Sequence, residues 1–326
     1  MSRPYVPQEV VDLAHARRDA RERRDWATAD AYRAQIETAG WRVVDRGVDF
    51  DLRPARLADV VADGAVRYGS SDSVPSLLAE PDVGPLSVIV VLDDAAAVSA
   101  VLTGTGSGSA GDIDPQVVAV ANGLAADADD DLRAVEEAGI EVVRLAARGG
   151  PGVARNAGCR RATGRIVLLR PSSHVRSGHD GESGTAVDEE LQTALDEPAV
   201  AIAGTVGLVS GALPRFTATP DRSVHAVSGD IAFRRADYRD SGPFDERFTS
   251  ARELDIWWSL TLRGIGEEQP RTAVRVGATV GQGNADGPAS DAPETPGQRR
   301  DRYRILDAFR GRDDLLSGQP GSVGKG

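Results

Sequence analysis

The chain has 326 residues with 38 Lys+Arg against 50 Asp+Glu, a formal charge of −12, and a hydrophobic fraction of 40%. That length supports one or two domains with real cores, and the composition excludes a wholly disordered chain. The longest apolar run, Leu86 to Leu92, is too short to span a bilayer, the single Cys159 excludes a disulfide framework, and the acidic balance opposes a chain-wide nucleic-acid footprint, leaving nucleic acid an unlikely partner. Positive charge is carried by arginine throughout, Lys325 being the only lysine, so the body of the chain offers no catalytic lysine. The opening residues have no apolar stretch behind Arg3, which leads to the expectation of a cytoplasmic protein.

Residues 9–40 read as two helices, the first rich in arginine (Arg17, Arg18, Arg21, Arg23, Arg24). The second has Asp25 as N-cap, with Trp26, Ala29, Ile36 and Ala39 at helical spacing and Gly40 as its stop. Trp41 to Val44 and Asp49 to Arg53 then read as a small hairpin, giving a first domain over residues 1–53, and residues 54–84 read as a linker with a short helix. From Leu86 the pattern becomes short apolar runs alternating with helical stretches. Leu86 to Leu92, Val117 to Ala121, Glu141 to Leu145 and Arg165 to Leu169 are strands; Ala95 to Leu102, Asp127 to Ala138 and Pro151 to Ala162 are helices. Strict alternation implies a doubly wound, mainly parallel α/β sheet, extended by Ala199 to Val209 and Val224 to Phe233, in a domain over residues 85–280.

Thr103 to Asp114, Arg176 to Thr185 and Gly281 to Gly297 read as Gly-rich loops. Within residues 281–326, Arg299 to Arg310 reads as a helix and the residues from Gly311 as a frayed tail. In and just before the second loop His174, His179, Asp180 and Glu182 lack the regular spacing of a metal site, and His15 and His225 read as structural. Cys159 falls among Ala157, Gly158 and Ala162, small residues that let a helix lie close on a sheet, so it reads as buried and inert.

In an open α/β sheet ligands bind beyond the carboxyl ends of the strands. Four loops lie there: Asp93-Asp94, Asn122-Gly123, Arg148 through Gly152, and Arg170 through His174. The third joins an arginine, three glycines and Pro151 at a helix start, a composition equally suited to a phosphate or to a tight turn without a ligand.

The helix from Pro151 to Gly164, its exit into Arg165 to Leu169, the run Leu86 to Val91, and the later segments Ser228 to Arg235 and Gly242 to Phe248 resemble family 2 glycosyltransferases of the GT-A fold over residues 86 to about 267. The resemblance implies inverting transfer of a sugar from a nucleotide-diphosphate sugar to an acceptor hydroxyl. It implies an aspartate for the nucleoside, a DxD pair holding Mg²⁺ or Mn²⁺ on the diphosphate, and a carboxylate base. Donor-binding positions carried over are Asp93, Asn122, Gly123, Arg148, Gly150, Asn156, Arg170 and Ser172; acceptor-side positions are Gly229, Asp230 and Asp245. Arg252 to Leu260 matches the family's acidic helix, with Asp255 as candidate base and Glu253 as its understudy.

The chain departs from the family where the metal belongs. Arg170-Pro171-Ser172 stands in place of Asp-Pro-Asp, and Ala121-Asn122-Gly123 in place of Asp-Asn-Gly, so no metal ligand is assigned. A metal-free donor site built on Arg170 and Arg148 is one outcome, and a catalytically inactive GT-A-fold binding or scaffold protein is the alternative. Residues 9–53, through Arg24 to Asp30, Arg33, Gly40-Trp41, Val43 to Asp45 and Arg53, resemble the C-terminal end of cysteinyl-tRNA synthetase. With acids interleaved among the arginines, that segment suggests a docking module for a protein partner more than an RNA surface.

Overall fold

The computed structural model describes residues 6–46, 49–54, 57–62, 64–104, 115–176, 182–265, 270–277 and 295–316. The expected loops therefore fall largely outside the described residues, at 105–114, 177–181 and 281–294. The chain divides into two compact units, residues 1–70 and 71–326. No described helix is long and apolar enough to cross a membrane.

In the smaller unit α1 (Gln8–Glu22) and α2 (Trp26–Thr38) are separated by Arg24 in the left-handed region at φ 61°, and Asp25 caps α2 by accepting from Thr28 N at 3.2 Å. Strands β1 (Trp41–Arg46) and β2 (Asp49–Pro54) pair antiparallel. Their Trp41, Val43, Phe50 and Leu52 pack on buried Val10, Ala14 and Ile36 of the helices. Arg17, nearly buried, forks onto Asp45 at 2.8 and 3.1 Å. Part of the stretch expected as a linker is a second strand pair, β3 (Val60–Ala62) with β4 (Ala65–Tyr68), turning at Gly64 with φ +78°. Asp63-Gly64 between the apolar Val60-Val61 and Val66 is a hairpin signal in the sequence.

The larger unit is built on β5 (Leu86–Leu92), β6 (Gln116–Asn122), β7 (Glu141–Leu145) and β8 (Ile166–Arg170), all mutually parallel in the order β7-β6-β5-β8. The sheet continues through β12 (Ala226–Arg234), β9 (Val200–Ala212), β13 (Thr272–Arg275) and β11 (Ser223–Val224), with β10 (Arg215–Thr219) also on β9. β12 is antiparallel to both β8 and β9, while β13 runs parallel to β9. This is the expected mainly parallel α/β architecture.

Both faces are covered, which is why the strands read as unbroken apolar runs. On one face Leu86, Val88 and Val90 meet α3 (Ala95–Gly104), α4 (Asp129–Glu137) and α7 (Glu182–Asp196) through Val98, Leu132 and Leu191. On the other, α5 (Pro151–Cys159) lies so close that a Cβ at Gly158 would sit 2.4 Å from Ile89. Cys159 is fully buried beside it.

The remaining helices are α6 (Ser172–Arg176), α8 (Arg235–Ser241), α9 (Ala251–Arg263) and α10 (Pro296–Ala308). Helices α6 and α7 occupy described parts of the stretch read as a loop at 176–185 and its flanks, and α7 had no sequence assignment beyond Thr185. Nor is the described chain after Gly311 a frayed tail: a 3-10 turn at Asp313–Leu315 buries Leu315 completely.

Candidate functional site

The chain leaves β5 for β6 and β7 on one side, then returns to lay β8 on the other, which puts the switch point, where open α/β sheets form their ligand crevice, beyond the carboxyl ends of β5 and β8. The loops after β5, β6 and β7 meet there. Asn122, 4% exposed, donates through Nδ2 to Asp93 Oδ1 at 2.8 Å and to Gly149 O at 3.1 Å, and its Oδ1 accepts from Gly149 N at 2.8 Å. Its amide is thereby committed to stitching three loops together. Gly123 permits the close approach: with φ +67°, a Cβ would lie 2.0 Å from Arg148 N.

Arg148 Nη1 donates to Asp93 O at 3.3 Å and its Nη2 lies 3.4 Å from Asp93 Oδ1, with the two side chains 67% and 41% exposed. What the crevice presents to solvent is therefore a guanidinium and a carboxylate on a rigid base. Gly150 is the N-cap of α5 and Pro151 its first residue, which leaves the helix start beside Arg148.

At the end of β8, Arg170 occupies the position where a metal-gripping carboxylate is expected. Its Nη2 is bonded to Asp188 of α7 and its Nε to Asp230 Oδ2 of β12 at 3.4 Å. His174 Nδ1 lies 2.7 Å from the other oxygen of Asp230. Burial works against the charge on Arg170, but Asp188 and Asp230 outweigh it and hold the guanidinium above its ordinary pKa. The cation of this cluster is thus a side chain seated on two carboxylates. That donor set does not fit Mg²⁺ or Mn²⁺, which need the oxygens the guanidinium takes. Among the described residues no group of three or more His, Cys, Asp or Glu is placed to hold a metal. Ser172 follows at the start of α6, and Gly229, at φ +82°, has no room for a Cβ beside Thr205 Oγ1, 2.5 Å away. His179 and Asp180 lie outside the described residues.

The acidic helix α9 buries both of its candidate carboxylates. Asp255 is 5% exposed and its Oδ1 accepts from Arg155 Nη1 of α5 at 2.5 Å. Burial raises its pKa to about 6 against the opposing pull of Arg155, with Glu253 adding to the rise. Glu253, 3% exposed, accepts from the Ser250 hydroxyl and has Arg252 and Arg302 at 3.8 and 3.9 Å. Trp258 points into an aromatic cluster with Phe233, Tyr238 and Phe244, and Trp257 packs on Phe248.

Two expected site residues serve the scaffold. Asn156 is 3% exposed and uses its whole amide: Nδ2 donates to Phe244 O and Glu246 Oε1, and Oδ1 accepts from Phe244 N and the Tyr238 hydroxyl, all within 2.8–3.0 Å. It therefore has no hydrogen-bonding capacity left for a donor. Asp245 accepts from Arg247 N and Nε at 3.0 and 2.8 Å. Burial raises the pKa of Asp245, but the bonds from Arg247 prevail and hold it below its ordinary value.

Sequence reasoning missed Arg155, Asp188 and the pairing of His174 with Asp230. Arg155 and Asp255 are 100 positions apart, a separation that no local spacing reports. For Asp188 a signal existed: Val187, Leu191, Ala194 and Leu195 recur at helical spacing.

No family model matches the chain. Over 51 residues it is 47% identical to the cysteine–tRNA ligase of Opitutus terrae, a stretch covering 16% of this chain and 11% of that protein, so it spans about a tenth of that relative's length. Among solved structures it is similar to the mannosyltransferase PcManGT from Pyrobaculum calidifontis in complex with GDP-Man and Mn²⁺, at 17% identity and TM-score 0.46 over 74% of this chain and 68% of that one. Similarity to S. aureus TarS 1-349 has 17% identity and TM-score 0.39 over 59% of this chain and 60% of that one. With the same fragment in complex with UDP-GlcNAc the figures are 15% and 0.43, over 69% and 65%.

Proposed function

We propose that the larger unit binds a nucleotide-diphosphate sugar in the crevice beyond β5 to β8 and transfers the sugar, with inversion, to an acceptor hydroxyl, as in the family 2 glycosyltransferases it resembles. The observation that carries this reading is the meeting of Asp93, Asn122 and Arg148 at the ends of three successive parallel strands, with α5 running from that loop to the buried Asp255. Asp93 faces the nucleoside, while exposed Arg148 and the start of α5 at Gly150 face the diphosphate. Arg170 offsets Asp188 and Asp230, so the anionic donor approaches without a divalent cation. The acceptor oxygen forms its bond to the anomeric carbon as the bond to the diphosphate breaks. The hydroxyl proton passes to Asp255, and the nucleoside diphosphate leaves.

A carboxyl raised to about 6 is deprotonated at neutral pH and still basic enough to take that proton. The transfer rate should rise with pH through a midpoint near 6, and Asp255→Asn should abolish transfer while leaving donor affinity within about twofold. Calorimetric titration of uridine, guanosine and thymidine diphosphate sugars in EDTA, with product analysis, tests both halves. Binding that requires added Mn²⁺ would defeat the metal-free reading, and an active Asp255→Asn chain would defeat the base.

The 2.5 Å grip of Arg155 on Asp255 favours a second reading, a GT-A-fold binding or scaffold protein that holds a donor without turnover. Donor binding with no transfer to any hydroxyl or to water would support it. The hairpin over residues 9–53 is read as a protein-docking module, and removing residues 1–53 should leave donor affinity unchanged.

A further inference from the structure

Helix α9 carries Glu253 and Asp255, yet its own N-cap residue, Ser250, makes no side-chain cap hydrogen bond. The cap arrives from 52 positions downstream of Thr249. Asp301 of α10 is completely buried, and its Oδ2 accepts from Thr249 N and Thr249 Oγ1 at 2.8 Å each and from Ser250 N at 3.0 Å. Its Oδ1 accepts from Arg304 Nη1 at 2.6 Å. A carboxylate in that place satisfies the amide of the N-cap residue Ser250, which the helix leaves open, together with the amide and hydroxyl of Thr249 just before it, and it lies at the positive end of the helix.

Other contacts make the same connection. A Cβ on Gly297 would sit 2.6 Å from Thr249 Oγ1, so α10 touches the α9 entry with no side chain between. Helix α10 is itself started by a reciprocal Thr295–Gln298 capping box. At the far end of α9, Arg263 Nη1 donates to Leu315 O at 2.7 Å. Residues 295–316 thus hold α9 at both ends, although they lie beyond the stretch that resembles a glycosyltransferase.

We infer that Asp301 is a positioning residue for the transfer reaction: by capping α9 from α10 it fixes the first turn of that helix and presents Asp255 to Arg155 and to the acceptor. This rests on the reading of Asp255 as the base. The test uses the full chain with Asp301→Ala and Asp301→Asn, and Val135→Ala in α4 as a core-destabilised control distant from the site. Because small misplacements of a catalytic group cost rate far more than affinity, Asp301→Ala should lower kcat about tenfold or more with donor Kd within about twofold. Asp301→Asn, whose amide oxygen still accepts, should lose less, and Val135→Ala should change neither.

A carbon-13 titration of the Asp255 carboxyl, which faces Arg155 of α5 and Glu253 and Arg252 of α9, gives a readout independent of turnover. Its midpoint should rise in Asp301→Ala, because a displaced Asp255 loses the opposing pull of Arg155 while burial still raises it. If that variant does not fold, Asp301→Asn carries both measurements. A loss of kcat no larger than that of the control, or an unmoved midpoint in either folded variant, would overturn the inference. If the native chain transfers no sugar, the proposed function fails instead, and the titration alone decides whether Asp301 positions Asp255.

Discussion

Asn122 at the end of β6 and Asn156 within α5 are the same amide put to the same work. Each holds turns together with both its carbonyl and its NH₂ group: Asn122 the loops after β5 and β7, Asn156 the turn at 244–246. Truncating Asn156 would leave the Tyr238 hydroxyl, Phe244 N and Phe244 O without partners in the interior, at about 1–3 kcal/mol for each group. Asn156→Ala should therefore destabilise the larger unit by about 3 kcal/mol or more, measurable as a lowered urea midpoint. Asn156→Asp keeps the two acceptor contacts but turns two donors into acceptors, and should be no better. The identity of such residues is plain in the sequence, but their direction is not. Asn156 lies within the glycosyltransferase-like helix and reads as a donor contact, and only the burial of Phe244 and Tyr238 against it shows which way it faces.

At the scale of elements, legibility follows burial on two faces. Strands β5 to β8 were readable because both faces are covered, so their residues form continuous apolar runs that resist any other reading. The 3-10 turn that buries Leu315 and the four-residue β13 are too short to show a period, and α7 was hidden by the Gly/Ser composition before it. In the smaller unit the pairing of α1 with β1 depends on charge. Arg17 and Arg21 hold the Asp45 carboxyl at a pKa of about 2, below its ordinary value, with the Arg17 hydrogen bond the largest cause. A depressed pKa in the folded state contributes stability that is present above about pH 4 and lost as the pH falls through 2. Acid titration of tryptophan fluorescence, with Trp26 and Trp41 as reporters in this unit, should show a transition in that window. In Asp45→Asn it should be absent, and the unit should be less stable at neutral pH because nearly buried Arg17 loses its partner.

At the scale of the whole molecule, the pieces of the site come from every part of the larger unit. Arg155 reaches Asp255 across 100 positions, Arg170 reaches Asp230 across 60, and Asp301 reaches Thr249 across 52. The sequence motifs located each segment along the chain. What joins them is the sheet order, in which β12 and β8 become neighbours, so the pairing of Arg170 with Asp230 was not open to a reading by spacing.

The close approach of α5 to the sheet has a practical corollary. It encloses the chain's one thiol, Cys159, fully beneath the helix, and burial pushes the thiol far above its ordinary pKa. Maleimide reagents should leave the native protein unmodified, and in partial denaturant their rate of uptake should report how often the β5–β6–α5 layer opens. A cysteine introduced at Tyr303, 64% exposed on α10, would then take a fluorophore alone, and α10 could be followed spectroscopically in an otherwise unaltered chain.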